Sequence, residues 1–289
     1  MRLAYLGTSA FAASVLERLA AGGRAPELVV TRPDAPRGRG RRLAPPPVAD
    51  TARELGLEVH QPEQVSDDPR VVDAGFEAIV VCAYGALLRE PLLSHPGLLN
   101  IHPSLLPRWR GAAPIERAIM AGDAQTGVAI MRPTEGFDEG PVCAVQSEPI
   151  RPDDDYGTLS ARLETLGAQL LGQVLEERPP CVEQTSEGIV YAEKIGPRDR
   201  LLDPARPAAE LERVVRALHP HIGARLALAG GQFLGVRRAR VVEDPADGVQ
   251  AADGRLLVGT VDGSLELLEV QPPGGRPMDA RAYLRGRSG

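Results

Sequence analysis

Cysteine is scarce in this chain: Cys82, Cys143 and Cys181 are the only three in 289 residues. They are odd in number and far apart, and no CxxC pair exists, which removes the usual zinc and redox-motif readings. Cys82 lies in an apolar run and reads as a core residue. All three are placed in a reducing compartment, as free thiols. Lysine is rarer still. Lys194 is the only one, so nearly every cation is an arginine, a bias that reads as base composition rather than function. Long apolar runs are missing as well: nothing approaches the roughly 18 residues of a membrane-spanning helix. The N-terminal Met1-Arg2-Leu3-Ala4-Tyr5-Leu6-Gly7 is too short in apolar character for a signal peptide and reads as a first strand entering a turn. A cytoplasmic protein is expected. There is no basic excess. The net charge of −6 argues against a protein that coats nucleic acid along its whole surface. The acidic excess lies in residues 1–200 (−7), while 201–289 is close to neutral (+1).

What is present is the composition of an ordinary globular protein, 43% hydrophobic and 25% charged, with a length that suits two domains. Short apolar runs at 3–6, 27–31, 77–83 and 98–101 are flanked by turn-forming residues and suit buried parallel strands. Residues 11–21 and 48–55 have helical spacing between them. Strands alternating with helices predict a doubly wound, Rossmann-like α/β sheet. In such sheets ligands sit beyond the carboxyl ends of the strands. A long helix is expected from 159, with Leu163, Leu166, Leu170, Leu171 and Val174 on one face. Asp153, Asp154 and Asp155 before it read as N-terminal capping.

Pro- and Gly-rich sequence after residue 178 reads as a linker. Beyond it come a helix at 208–218 and short alternating segments at 224–229, 232–242, 255–260 and 264–270. Gly-Gly and Asp-Gly turns separate them. That pattern predicts a small β-barrel of the OB type, a fold that often holds nucleic acid. The expected division is a catalytic domain over 1–180, a linker over 181–204 and the OB-like domain over 205–289.

The densest segment is Asn100-Ile101-His102-Pro103-Ser104-Leu105-Leu106-Pro107-Arg108-Trp109-Arg110-Gly111. Asn100 and His102 are two apart at a strand end, so in extended backbone they point to the same side. They supply a carboxamide donor and an imidazole. Acyl transfer to an amine needs little more, because the amine is itself the nucleophile. What remains is stabilisation of an oxyanion and a route for one proton. Asp138, between Gly136 and Gly140, can orient and support the imidazole, as a buried Asp does in hydrolytic triads. Alone, His102 reads as a histidine satisfied near a turn and Asp138 as a turn aspartate. His219 and His221 have HxH spacing, but no further ligands accompany them and no metal is expected.

A second segment, from Arg32 to Pro47, holds Arg37, Arg39, Arg41 and Arg42 within six residues. Gly38 and Gly40 give it backbone freedom, and it has no aromatic residue for base stacking. It reads either as a solvated surface loop or as a cationic loop for phosphate contacts.

Together, Asn-x-His, Ser-Leu-Leu-Pro and Asp-x-Gly resemble the 10-formyltetrahydrofolate-dependent formyltransferases, and among them the methionyl-tRNA formyltransferases, over almost the whole chain. The resemblance implies that Asn100, His102 and Asp138 form the catalytic trio. It implies folate contacts by Ser104, Leu105, Leu106 and Pro107, and a loop beside the pterin at Tyr84 and Gly85. The basic loop is implied to enter the acceptor stem of the initiator tRNA through Arg37, Arg39, Arg41 and Arg42, with Arg39 central. The implied formyl donor is 10-formyltetrahydrofolate, the partner initiator methionyl-tRNA, the process translation initiation, and the form a monomer. The chain departs from the family pattern at Arg89, where a proline is usual, and at Asp203-Pro204, where Asp-Trp is usual. Arg237, Arg238 and Arg240 are candidate RNA contacts. Two alternatives stay open: formyl transfer to an amino sugar nucleotide, and a non-catalytic folate- or tRNA-binding module.

Overall fold

The computed structural model describes residues 1–37, 40, 42–228 and 230–286. It divides into two compact units that interleave along the chain. One holds Met1–Gly111, Thr126–Glu148 and Ser160–Tyr191; the other holds Ala112–Gln125, Pro149–Leu159 and Ala192–Gly289.

The first unit is built on a seven-stranded sheet. Strand β1 (Leu3–Gly7) is followed by α1 (Ala10–Ala21) and β2 (Leu28–Val30). A short hairpin, β3 (Ala35–Arg37) with β4 (Arg42–Ala44), precedes α2 (Pro47–Glu54) and β5 (Glu58–His60). The one-turn α3 (Pro69–Val72) leads to β6 (Ala78–Cys82) and β7 (Leu98–His102). After them come β8 (Arg110–Gly111), then α4 (Pro114–Ala121), which belongs to the second unit, and β9 (Gln125–Met131), β10 (Val142–Pro149) and α5 (Tyr156–Glu177).

The sheet order is β10-β9-β7-β6-β1-β2-β5. The five strands from β5 to β7 pair in parallel, and β9 runs antiparallel to β7. All five residues of β1 and of β6 are buried, as a parallel sheet covered on both faces requires. Ser9 caps α1, its hydroxyl accepting from the Ala12 N–H. The apolar face expected of the long helix is buried at Leu159, Leu163, Leu166, Leu170, Leu171 and Val174. At Gly167 a Cβ would stand 3.1 Å from Ile101 Cγ2, so a glycine lets α5 approach β7 between Asn100 and His102.

Two of the three cysteines are not free, which corrects the expectation from the sequence. Cys143 on β10 and Cys181 form a disulfide, leaving buried Cys82 as the free one. The physical reason is a return of the chain that spacing does not show. After α5 it folds back along the edge strand, and Val142 and Val182 exchange two backbone hydrogen bonds of 2.8 Å. That pairing brings the neighbouring cysteines together. Cys82 itself lies in the core, as expected, and its burial pushes the thiol up to about 12.

The second unit is an antiparallel sheet packed on a helix. Its remaining elements are β11 (Tyr191–Ala192), α6 (Ala208–Leu218), β12 (Ala224–Ala227), β13 (Phe233–Val242) and β14 (Val249–Ala252). They continue with β15 (Arg255–Thr260), β16 (Gly263–Gln271), β17 (Met278–Asp279) and α7 (Ala280–Arg285). The sheet order is β12-β13-β16-β15-β14, with β17 also on β16. The antiparallel strands expected of this domain are present, along with β14 and β17, which alternation alone did not reveal. Leu211, Val214, Val215 and Leu218 of α6 form its core with Leu226, Leu234, Val236, Val258, Leu265 and Val270. Asp253 (φ 52°) and Gly254 (φ 72°) make the tight β14–β15 turn, with the two positive φ values of a primed hairpin.

Two of the arginines read as RNA contacts are engaged within this unit. Arg237 donates to Pro220 O (3.0 Å) and Gln271 Oε1 (2.7 Å). Arg240 pairs with buried Glu266 at 2.8 Å. His221 is no open ligand either: it stacks on Tyr156 and its Nε2 lies 2.9 Å from Glu116 Oε1.

Candidate active site

The carboxyl ends of the parallel strands carry the site. Strand β7 ends on Asn100, Ile101 and His102, in register with Met131, Ile130 and Ala129 of β9. The odd residue, Ile101, is buried under α5. The even pair, Asn100 and His102, meets one carboxylate. Asn100 Nδ2 donates to Asp138 Oδ1 at 3.3 Å. His102 Nδ1 stands 3.5 Å from Asp138 Oδ2. The Gly111 N–H donates to the same Oδ2 at 2.9 Å. Asn100, His102 and Gly111 thus share one anion from a distant loop, held by a carboxamide, an imidazole and a backbone amide.

The tautomer of His102 follows from its second partner. Nε2 lies 2.8 Å from the Trp109 carbonyl oxygen. A carbonyl can only accept, so Nε2 carries the ring proton. Nδ1 is then the nitrogen left to gain or give a proton, and it is the one facing Asp138. The ring is 4% exposed, so its orientation is fixed by packing as well as by this bond.

Both loops that close the site contain strained backbone. Trp109 has φ 63° and Asp138 has φ 50°. A bulky residue at positive φ is an outlier that persists only when its surroundings impose it. Here the unusual conformation aims the Trp109 carbonyl at His102 and the Asp138 carboxylate at the strand end. Gly140 is demanded by space: a Cβ there would stand 2.0 Å from the Arg132 carbonyl oxygen.

The Ser-Leu-Leu-Pro stretch runs directly from His102. Ser104 is wholly buried; its N–H donates to His102 O at 2.9 Å and its hydroxyl to Arg108 O at 2.7 Å. That serine therefore shapes the turn. Leu105 packs its Cδ2 against Gly127 of β9, and Leu106 and Pro107 are half-buried. The Tyr84 ring is in the core, where burial pushes its phenol up, while Gly85 is exposed with φ 77°. Thr8 donates to the Tyr84 carbonyl (2.7 Å) and Arg32 to the Gly85 carbonyl (2.9 Å), so this loop is tied to the end of β1 and to the root of the basic segment.

In the basic segment, β3 and β4 pair with Arg37 opposite Arg42, and Arg42 is exposed. Gly38, Arg39 and Arg41, and with them the central arginine of the expected loop, lie outside the described residues.

Sequence reasoning missed two members of the site. Arg110 is buried, and its guanidinium holds Gln184, which in turn holds the Asp138 loop. Arg110 stood inside the densest motif. Gln184 stood in the stretch read as linker, where nothing in the pattern singles it out.

A strand-end Asn-x-His pair converging on a loop carboxylate, at the carboxyl ends of a doubly wound sheet, suits a transferase that passes an acyl group to an amine. The chain belongs to the formyl transferase family: residues 1–175 match the Formyl transferase domain and residues 194–288 the Formyl transferase, C-terminal domain. Among its relatives is the Methionyl-tRNA formyltransferase of Halorhodospira halophila, 44% identical, covering 99% of this chain and 96% of that protein. The Methionyl-tRNA formyltransferase of Phenylobacterium zucineum is 43% identical, over 99% of this chain and 97% of that protein. A crystal structure of the N-formyltransferase from Helicobacter canadensis, in complex with folinic acid and dTDP-3-aminofucose, superposes with a TM-score of 0.68 at 13% identity. It covers 92% of this chain and 98% of that one, and shows a shared fold. Among the described residues, no helix is long and apolar enough to cross a membrane, and no cluster of His, Cys, Asp or Glu is placed to hold a metal.

Proposed function

We propose that the chain transfers the formyl group of 10-formyltetrahydrofolate to the amino group of initiator methionyl-tRNA. For the reaction type, the observation that carries this reading is the convergence of Asn100 Nδ2 and His102 Nδ1 on the Asp138 carboxylate at the strand ends. For the acceptor, it is near-full-length identity of 44% to a protein named Methionyl-tRNA formyltransferase.

The formyl-folate supplies an activated one-carbon group bound to nitrogen. The residues supply the rest. Asn100 donates one amide hydrogen to Asp138 at 3.3 Å; the other rests on Met131 Sδ at 3.7 Å, a weak acceptor that the formyl oxygen displaces as negative charge develops on it. His102 takes the proton that the attacking amine must lose, at Nδ1, because Nε2 is already committed to Trp109. Asp138 stabilises the imidazolium this creates. The same Nδ1–H then returns the proton to the departing folate nitrogen, so the enzyme ends in its starting protonation state. No covalent intermediate with the protein is needed, because an amine is a competent nucleophile.

Ser104, Leu105, Leu106, Pro107, Tyr84 and Gly85 form the folate wall in this reading, Tyr84 through its backbone, because its ring is in the core. Arg37, Arg39, Arg41 and Arg42 contact acceptor-stem phosphates, and the C-terminal domain over 205–289 binds the body of the tRNA. The test is formyl transfer with purified full-length protein, 10-formyltetrahydrofolate and charged initiator tRNA. N-formylmethionyl-tRNA is expected. Formyl transfer to a nucleotide amino sugar, with none to charged tRNA, would overturn the choice of acceptor. Arg39→Ala is expected to raise the KM for tRNA and leave that for the folate unchanged.

A further inference from the structure

We infer that Gln184 is a positioning residue for the reaction: its amide holds the Asp138 loop in its strained conformation, and so sets the carboxylate against Asn100 and His102. This inference rests on the reading of Asp138 as a member of the catalytic trio.

Gln184 belongs to the return segment that follows the Cys143–Cys181 disulfide. Its side chain spans two parts of the site. Nε2 donates to the Asp138 carbonyl and to the Gly140 carbonyl, each at 2.8 Å. Oε1 accepts from Arg110 Nε at 3.1 Å and from Nη2 at 2.9 Å. Both amide hydrogens and both oxygen lone pairs are therefore used.

The orientation of the amide is unambiguous. A guanidinium only donates and carbonyls only accept, so the oxygen must face Arg110 and the nitrogen must face the loop. Arg110 is 5% exposed, so a buried cation fixes one end of the bridge. Its own N–H donates to Val190 O at 2.9 Å, which ties it to the same return segment.

The loop needs such a hold. Asp138 sits at φ 50°, a left-handed conformation uncommon outside glycine that its surroundings have to hold. Loop residues 135–140 lie outside any strand. One amide gathers the carbonyls on either side of Glu139. The next residue after Arg110 is Gly111, whose N–H holds the Asp138 carboxylate itself. Strand β8 thus reaches Asp138 twice: once directly, and once through Gln184. Neither of two informative replacements keeps this geometry. A glutamate would keep Arg110 but turn a carboxylate toward two carbonyl oxygens. An alanine would release both ends.

The experiment is a double-mutant cycle in the full-length enzyme, read by single-turnover formyl transfer to charged tRNA. It uses Gln184→Ala, Gln184→Glu and Asp138→Ala, each alone and in combination, with fold checked by circular dichroism. Both Gln184 variants are expected to lower kcat at least tenfold while the folate KM stays within twofold. In the Asp138→Ala background the same changes are expected to cost less than twofold, because nothing is left to position. A loss of equal size in both backgrounds would show a general structural role and overturn the proposal. So would kcat within threefold of wild type in both single variants. If Gln184→Ala does not fold, Gln184→Met, of similar shape without hydrogen bonds, takes its place in the cycle. The two failures are distinguishable. If Asp138→Ala itself keeps wild-type kcat, the trio reading fails and the proposal with it. If Asp138→Ala is severely impaired and the Gln184 variants are not, only the role of Gln184 fails.

Discussion

Asp138→Asn isolates the charge of the carboxylate from its shape. Asparagine tolerates the left-handed backbone at this position about as well as aspartate, so the φ of 50° is no obstacle. Two effects then add. The first is electrostatic. A carboxylate and an imidazolium 3.5 Å apart attract by about 5 kcal/mol at an effective dielectric of about 20. The Asp138 side chain is 21% exposed, and solvent screening reduces the useful part to roughly half. That remainder corresponds to about 10²-fold in rate. The second effect is a donor mismatch. Asp138 accepts from Asn100 Nδ2 on one oxygen and from the Gly111 N–H on the other. A carboxamide has one oxygen only, so its NH2 must confront a second donor, at a further cost of about 1 kcal/mol. The expected kcat is lower by about 10² to 10³, with the folate KM within twofold. Single-turnover formation of N-formylmethionyl-tRNA at saturating substrates measures it. A kcat within threefold of wild type, in a variant with native circular dichroism, would refute the role given to the Asp138 charge.

Four further outcomes rest on the cysteines and on Glu266. Unfolding the protein without reductant should expose one titratable thiol of the three cysteines, because Cys143 and Cys181 are paired; three reactive thiols would contradict that pairing. Reducing the bond should lower stability by about 4 kcal/mol on the chain-entropy relation for a separation of 38 residues, seen as a shift in the denaturation midpoint. In the native protein Cys82 should resist thiol reagents at pH 8, since a pKa pushed up to about 12 leaves about one thiol in ten thousand ionised; labelling at the rate of a free thiol would refute this. Glu266 gives an acid dependence. Burial raises its carboxyl, but hydrogen bonds and charge from Arg255 and Arg240 outweigh that and hold it below its ordinary value. A depressed folded pKa contributes stability above the unfolded value, lost as pH falls through the folded one. The Tm deficit of Glu266→Gln at pH 7 should therefore shrink below about pH 4, and a deficit independent of pH would refute the ion pair.

The local pattern was enough for the central strands and the longer helices. Apolar runs bounded by turn residues located β1, β2, β6 and β7, because a strand buried on both faces has to be apolar along its length. The 3.6 period located α5 and set its buried face, and it gave α6 its observed bounds of Ala208–Leu218. Alternation worked less well at the sheet margins. Val249–Ala252 and Met278–Asp279 are short, partly exposed strands with almost no apolar pattern of their own. Pairing with β15 and β16, not residue type, makes them strands.

The site divides along the same line. Asn100 and His102 were legible because two residues at an alternating spacing on one strand share a side by geometry alone. Asp138 was legible only as a turn aspartate until its family motif was weighed beside theirs. The identity of the proton-bearing nitrogen, the strain at Trp109, the disulfide and the bridge through Gln184 were not legible at all. Each depends on where a distant segment returns: Trp109 O on His102, Cys181 on Cys143, Gln184 on Asp138. Sequence fixes which groups a chain can offer and which local backbone they ride on. Contacts made across 38 or 46 residues are decided when the elements pack, because only then do groups remote along the chain come within hydrogen-bonding distance.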